Sequence, residues 1–382
     1  MLYAPIISLF LLSMGNGLLM TLLPLRLTEA GASLSTIGQI TSAYYVGLGV
    51  GALCNARLLK HTGHIRAYAI FAAVLSSCAL IQAVWTWPWL WLILRAVAGW
   101  AVAGAFMVVE SWLLAISKPA HQGRVLAIYM VACFASMAFG QLLIGPLAKP
   151  LGSAQQSLPY VFAAISSSLC LIPITLIPGA GPVIGDTRFL PPWQLFRQSP
   201  TGVIAVLGTG LLMGAILSLF PLYLQQIMGS HRVETVGRIM FATIIGGMVL
   251  QYPIGRWSDT SDRLQLLMRL SATLGALTLL VPLAGHHEAA LVLCLFLLGG
   301  GIFSLYPVSI SHSSDSIPPA QLVGMTQSLL LLNAVGSVLS PALFLPLMHH
   351  AGPQGLLLGM AALLLAMSLI FGSLRRRRSH RH

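Results

Sequence analysis

Residues 88–116 read PWLWLILRAVAGWAVAGAFMVVESWLLAI, and in that run only Arg95 and Glu110 carry charge. A helix rises about 1.5 Å per residue, so about 20 apolar residues cross about 30 Å of hydrocarbon. The run lacks the apolar–polar alternation of barrel strands, which are about ten residues long. A helix also satisfies its backbone amides internally, as lipid demands. These residues are therefore expected to form one membrane-spanning helix, from Pro88 to Ile116.

Comparable runs recur on both sides of it. In the first half they cover Pro5 to Leu27, Ile37 to Leu59, Ala67 to Thr86, Arg124 to Pro146 and Pro159 to Pro178. In the second half they cover Pro200 to Gln226, Thr235 to Trp257, Leu266 to Ala284, Glu288 to Ile310, Leu322 to Met348 and Gly352 to Leu374. With the run at 88–116, twelve spans are expected. Only 7% of the 382 residues are charged and 57% are apolar, whereas a soluble domain carries about 25% charged residues. The fold class is thus an all-α polytopic membrane protein. Its domains are a six-helix half over 1–178, a cytoplasmic linker over 179–199, a second six-helix half over 200–374 and a basic tail over 375–382. Without a basic leader, the N-terminal run reads as a first span rather than a cleaved signal.

Fifteen of the twenty Lys and Arg residues fall on one side of the twelve expected spans. They include Arg57, Lys60, Arg66, Lys118, Arg188 and the run Arg375 to Arg378. Arg26, Lys149, Arg232 and Arg238 fall on the other side, and Arg95 lies within a span. The positive-inside bias places both termini in the cytoplasm. It also explains the net charge of +12 through topology and the lipid bilayer, with no nucleic-acid partner. The five cysteines sit in apolar runs without metal-ligand spacing and are expected to be buried small hydrophobes. His286-His287-Glu288 and His349-His350 read as loop residues, and no metal site or cofactor is expected.

The two halves echo each other at an offset of 197 to 199 residues. Leu23-Pro24-Leu25-Arg26-Leu27 matches Phe220-Pro221-Leu222-Tyr223-Leu224, and Thr36-Ile37-Gly38-Gln39-Ile40 matches Thr235-Val236-Gly237-Arg238-Ile239. Gly140 before Pro146 is answered by Gly336 before Pro341. Two such halves can rock about a central site, which gives alternating access.

The sequence resembles the major facilitator superfamily of transporters, and within it the YcaD-like branch of bacterial inner-membrane members. The resemblance covers nearly the whole chain. It is carried by Gly63-His64-Ile65-Arg66, Val109-Glu110-Ser111-Trp112, Gly140-Gln141-Leu142-Leu143, Pro253-Ile254-Gly255-Arg256-Trp257-Ser258-Asp259 and Leu305-Tyr306-Pro307-Val308. The family's cytoplasmic loop motif, Gly-x-x-x-Asp-Arg-x-Gly-Arg-Arg, has Lys60 and His61 at its Asp and Arg positions in the first half. The second half keeps Gly255, Asp259 and Arg263, with Asp262 at a Gly position. The resemblance implies a cytoplasmic gate built from Asp259, Arg256 and Arg263. It also implies a proton-coupling role for Arg95, which resembles an Arg found in the fourth span of many members. The fifth-span motif Gly-x-x-x-Gly-Pro keeps Gly145-Pro146 but has Gln141 at its first Gly.

The charged groups inside or beside the spans are the candidates for coupling or substrate binding: Glu110, Arg95 and Arg26. Glu110 lies about 33 Å along the helix from Pro88, near the cytoplasmic end, and Arg95 about 10 Å along. The two are too far apart to pair. An unpaired charge in the membrane costs about 2.5–3.5 kcal/mol or more, so each needs a partner, water or a proton. Arg26 is expected either in a surface pair with Glu29 or as an anion attractor. Asn16, Tyr44, Gln141, Gln251 and Asn333 are the cavity candidates. Gln82 also interrupts an apolar helix, and Gln225 and Gln226 are expected to be solvated. Gly47-x-x-x-Gly51 is expected to let two helices approach closely.

No phosphate loop of the form Gly-x-x-x-x-Gly-Lys-Ser/Thr is present, and no catalytic constellation is recognisable. The expected function is ion-gradient-driven transport of a small-molecule substrate, with the proton as the ion and the direction open, drug or metabolite efflux being one form of it. Nutrient import, or a sensor or scaffold with a transporter fold, is the alternative. No obligate protein partner is expected.

Overall fold

In a computed structural model all regular secondary structure among the described residues is helical, and those residues are 3–117, 122–148, 155–176, 190–229, 232–284, 287–318 and 321–379. Lys118, Lys149, Asp186, Arg188, His286, His380, Arg381 and His382 lie outside them, as does the first part of the expected linker. The side chains of Arg124, Arg377 and Arg378 are also outside the description.

The chain divides into two compact units, Met1–Asp186 with Ser230–Phe241, and Thr187–Gly229 with Ala242–His382. The first contains α1 (Tyr3–Glu29), α2 (Leu34–Thr62), α3 (His64–Val84), α4 (Pro88–Ile116), α5 (Gln122–Leu142), α6 (Ile144–Leu147), α7 (Leu158–Leu169) and α8 (Leu171–Thr175). The second begins with α9 (Pro192–Gln198), α10 (Pro200–Gly214), a π-helical turn (Ala215–Leu219) and α11 (Phe220–Met228). α12 (Val233–Thr260) follows, starting in the first unit. α13 (Arg263–Ala284), α14 (Glu288–Ser314), α15 (Leu322–Ala351) and α16 (Gln354–Ser379) complete the second unit.

Among the described residues, eleven helical segments are long and apolar enough to cross a membrane. Within α5 the described apolar helix is the shorter Ile128–Leu142. Large aliphatic side chains such as Val46, Leu53, Leu80, Leu283 and Leu369 are exposed along these helices, a surface suited to acyl chains rather than water. Trp87 and Trp89 stack 5.9 Å apart where α4 begins, at a span end where indole rings favour the headgroup boundary.

Three expected spans are interrupted, and each interruption has a proline just beyond it. Proline lacks an N–H and its ring crowds the carbonyl four residues earlier. Pro146 follows the turn between α5 and α6, Pro173 follows Cys170 between α7 and α8, and Pro221 follows the π turn before α11. The last residues of the expected linker are docked. Leu190 and Leu195 pack with Val203, Val206, Ile317 and Leu329, and Ser328 donates its hydroxyl to the Leu190 carbonyl.

Glycine sets the tightest helix crossings. A Cβ on Gly47 would strike the Ala96 carbonyl, and one on Gly99 the Tyr44 carbonyl, so α2 and α4 touch backbone to backbone. Small residues permit that approach in lipid, where the gain comes from close packing. The device recurs in the second unit, where Gly246 faces the Phe296 carbonyl and Gly299 the Thr243 carbonyl, joining α12 to α14. Likewise Gly140 fits against Met14 of α1, and Gly336 against Leu207 of α10.

The cysteine expectation holds for Cys78, Cys133 and Cys170, which are buried, but Cys54 is exposed and Cys294 half-buried. Those two lie on the apolar helices α2 and α14.

Candidate functional site

The close α2–α4 crossing carries Tyr44 to Arg95. Gly99 lies one turn from Arg95 on α4, and its contact with the Tyr44 carbonyl brings the two side chains to the same level. The Arg95 guanidinium carbon lies 4.3 Å from the centre of the Tyr44 ring, a cation–π arrangement. An Arg95 Nη2–H points at the Met20 sulfur of α1, 2.7 Å away. The Asn16 amide donates to the Tyr44 hydroxyl at 3.0 Å, and Tyr45 packs edge-on against Tyr44 with ring centres 5.5 Å apart. Arg95 is 2% exposed.

Beside this cluster lies a cavity of about 20 Å³, lined by Asn16, Gln82, Arg95, Cys78 and Ser167 among others. Gln82 is buried, and its Nε2 has no hydrogen-bond partner among the described residues. Three expected site residues thus meet: Arg95, Tyr44 and Asn16. Gln82 belongs with them. Its only sequence signal was an amide in an apolar helix, and nothing in the local pattern shows that it faces Arg95. Met20, Cys78 and Ser167 gave no signal, because their roles arise from neighbours on other helices.

The other candidates stand apart. Glu110, half-buried near the far end of α4, has no hydrogen bond or ion pair among the described residues. It is close enough to Tyr129 and Cys133 of α5 to act on them electrostatically. Arg26 pairs with Glu29 at 3.0 Å. The pair is not the surface pair expected, since Arg26 is only 5% exposed. Residues packed around the end of α1 cover its stem.

Gln141 donates to the Gly17 carbonyl at 2.9 Å and so ties α5 to α1, while its Oε1 is buried without a partner among the described residues. Gln251 is half-buried, and Asn333 has a long contact of 3.9 Å to the Met213 sulfur. Gln226 is exposed as expected, but Gln225 is buried with both amide atoms unpartnered among the described residues. It lies in α11, among residues that pack closely after the π turn, rather than in water.

The Arg263 guanidinium gathers α12 and α14. It bonds the Ser311 carbonyl at 3.1 Å, pairs with Asp315 and lies 3.8 Å from Asp259. Asp262 accepts the Leu264 amide at 3.0 Å and the Gln265 amide at 3.4 Å, and its other oxygen receives Arg375 at 3.2 Å. Arg256 has no side-chain partner among the described residues. Asp259 thus faces Arg263 within one unit.

The chain matches the Major Facilitator Superfamily over residues 6–341, with a second match over 230–382. The chain belongs to the major facilitator superfamily. This superfamily member is 32% identical over 352 residues to the MFS-type transporter YcaD of Escherichia fergusonii, with 90% of this chain and 87% of that protein covered. It is 31% identical over 347 residues to YcaD of Escherichia coli K12, with the same coverage. It therefore falls in the YcaD-like branch of a transporter family rather than in an enzyme family.

Its fold is shared with the nucleoside transporter NupG, with a TM-score of 0.79, 14% identity, and 97% and 98% of the two chains covered. A D-xylose–proton symporter superposes with a TM-score of 0.74 at 14% identity, with 97% and 96% covered.

Proposed function

We propose that the chain is a secondary active transporter that moves a small solute across the bacterial inner membrane by alternating access. In this reading twelve spans form two pseudo-symmetric six-helix halves, 1–178 and 200–374, joined through 179–199, with both termini cytoplasmic. The recurrence of the Gly47–Gly99 crossing as Gly246–Gly299 supports the duplicated plan. The distribution of basic residues supports the orientation.

The observation that carries the reading is a buried cation, Arg95, held inside a helical bundle by an aromatic face and a thioether. A purely structural bundle gains little from such a group, because burying a charge is costly. Glu110, with no ion-pair partner in the same helix, is the proposed proton carrier. A carboxylate there can take up and release a proton without first breaking an ion pair. Protonation then biases one state only through its unequal affinity for the two states. Asp259 and Arg263 serve the proposed cytoplasmic gate, with Arg256 close by in sequence. Asn16, Tyr44, Gln141, Gln251 and Asn333 are the proposed polar contacts, and Arg26 a contributor near the outer end of α1.

Efflux of a drug-like or metabolic solute is the working direction. Purified protein in proteoliposomes, screened with a metabolite and drug panel under imposed pH gradients, tests this reading. Expected is uptake into inverted vesicles that collapses when the gradient is dissipated. Gradient-driven accumulation only in the opposite sense would make the protein an importer. Ligand binding with no flux under any gradient would make it a sensor and overturn the proposal.

A further inference from the structure

Arg95 carries a full positive charge, is 2% exposed, and is surrounded by Tyr44, Tyr45, Cys78 and Met20, none of which offers a negative charge. No carboxylate pairs with it among the described residues. Of the five N–H groups that a guanidinium presents, one is directed at a thioether, and the described residues supply no other acceptor. The same cavity is lined by Gln82, itself 2% exposed, whose amide nitrogen has no partner among the described residues. Polar side chains from α3 and α4 therefore line one small space.

That space measures about 20 Å³, room for one water-sized species. A water would accept hydrogen bonds there but leave the charge uncompensated, and buried charges persist when they are paired. We propose that the cavity holds a monatomic inorganic anion of chloride size, as the resident counterion of Arg95 inside the helical bundle. The donor set suits it: a guanidinium, the Gln82 amide, and the Asn16 amide and Ser167 hydroxyl on the same lining. The site locks α1, α3, α4 and α7 together around one ion. It does not depend on the transport reading.

The test is thermal unfolding of the purified full chain in neutral detergent, in sodium chloride, sodium bromide or sodium gluconate at one ionic strength. A ligand that binds only the folded state raises the midpoint by mass action. Chloride and bromide should raise it above gluconate, and the increment should grow with the logarithm of halide concentration. Gln82→Leu fills the cavity with an apolar side chain of similar size and should abolish the increment while leaving a cooperative transition. Arg95→Gln should abolish it as well. Should Arg95→Gln fail to fold, the salt series on the native chain and on Gln82→Leu still decides. Equal midpoints in the three salts would overturn the proposal, as would a halide increment that survives Gln82→Leu.

Discussion

Tyr44 bridges two polar groups from different helices: its ring lies under the Arg95 guanidinium at 4.3 Å, and its hydroxyl accepts the Asn16 amide at 3.0 Å. One side chain from α2 thereby joins α1 to α4. The phenol does this with neutral chemistry, so the charge of Arg95 is held in place without being cancelled.

The two halves of that bridge are separable. Tyr44→Phe keeps the aromatic face and removes only the acceptor for Asn16, a loss of about 1 kcal/mol. Tyr44→Leu removes the face too and should cost a further ~0.5–2 kcal/mol. Equilibrium unfolding in mixed micelles should rank native, then Phe, then Leu. Equal stability of the two variants would mean that the ring adds nothing.

Close helix approach at Gly47 and Gly99 leaves no room for a methyl group. Gly99→Ala should drive α2 and α4 apart and cost about 1–3 kcal/mol, the usual range for overpacking. Gly299→Ala should behave alike in the second unit. Gly255 has open space around its position in α12, so Gly255→Ala should instead stabilise by up to ~1 kcal/mol through helix propensity. Thermal midpoints of the three variants provide the comparison.

Asp262 and Arg375 meet, but the pair should respond unequally to mutation. Both side chains are roughly half exposed, and exposed ion pairs contribute about 0–1 kcal/mol. Arg375→Gln should therefore change stability little. Asp262→Ala also removes the acceptor for the Leu264 and Gln265 amides at the start of α13, a capping loss of about 0.5–2 kcal/mol. Chemical denaturation of the two variants should show the larger shift for Asp262→Ala.

Glu110→Gln should leave the fold intact, since no ion pair is lost. In proteoliposomes it should abolish accumulation driven by a pH gradient while preserving counterflow exchange of the solute. Loss of both activities together would assign Glu110 to solute binding or structure instead of proton transfer.

Much of the architecture was legible in advance. The run at 88–116 forms α4 with the expected ends, because a span must be apolar over its whole length and Pro88 is well placed at a helix start. The Gly47–Gly51 spacing anticipated a close crossing, though not that Gly99 and the Tyr44 carbonyl complete it. Interruptions at Leu143, Cys170 and the π turn were not anticipated. Prolines at 24, 253 and 307 lie inside continuous helices, so a proline alone does not say whether its helix breaks. Gln225 was placed in water and is buried. Its position near a helix end was visible, but not the packing around α11.

Hydropathy and the placement of lysine and arginine act residue by residue against the bilayer. The linear chain alone was therefore enough for the membrane class, the long apolar helices and the duplicated order of motifs. Which polar groups meet inside the bundle depends on how each helix is rotated and how near its neighbour comes. Those variables are set by contacts between residues far apart in the chain, such as Gly99 with the Tyr44 carbonyl. The three-dimensional packing selected Arg95, Tyr44, Asn16 and Gln82 from many scattered polar residues, and it left Glu110 standing apart.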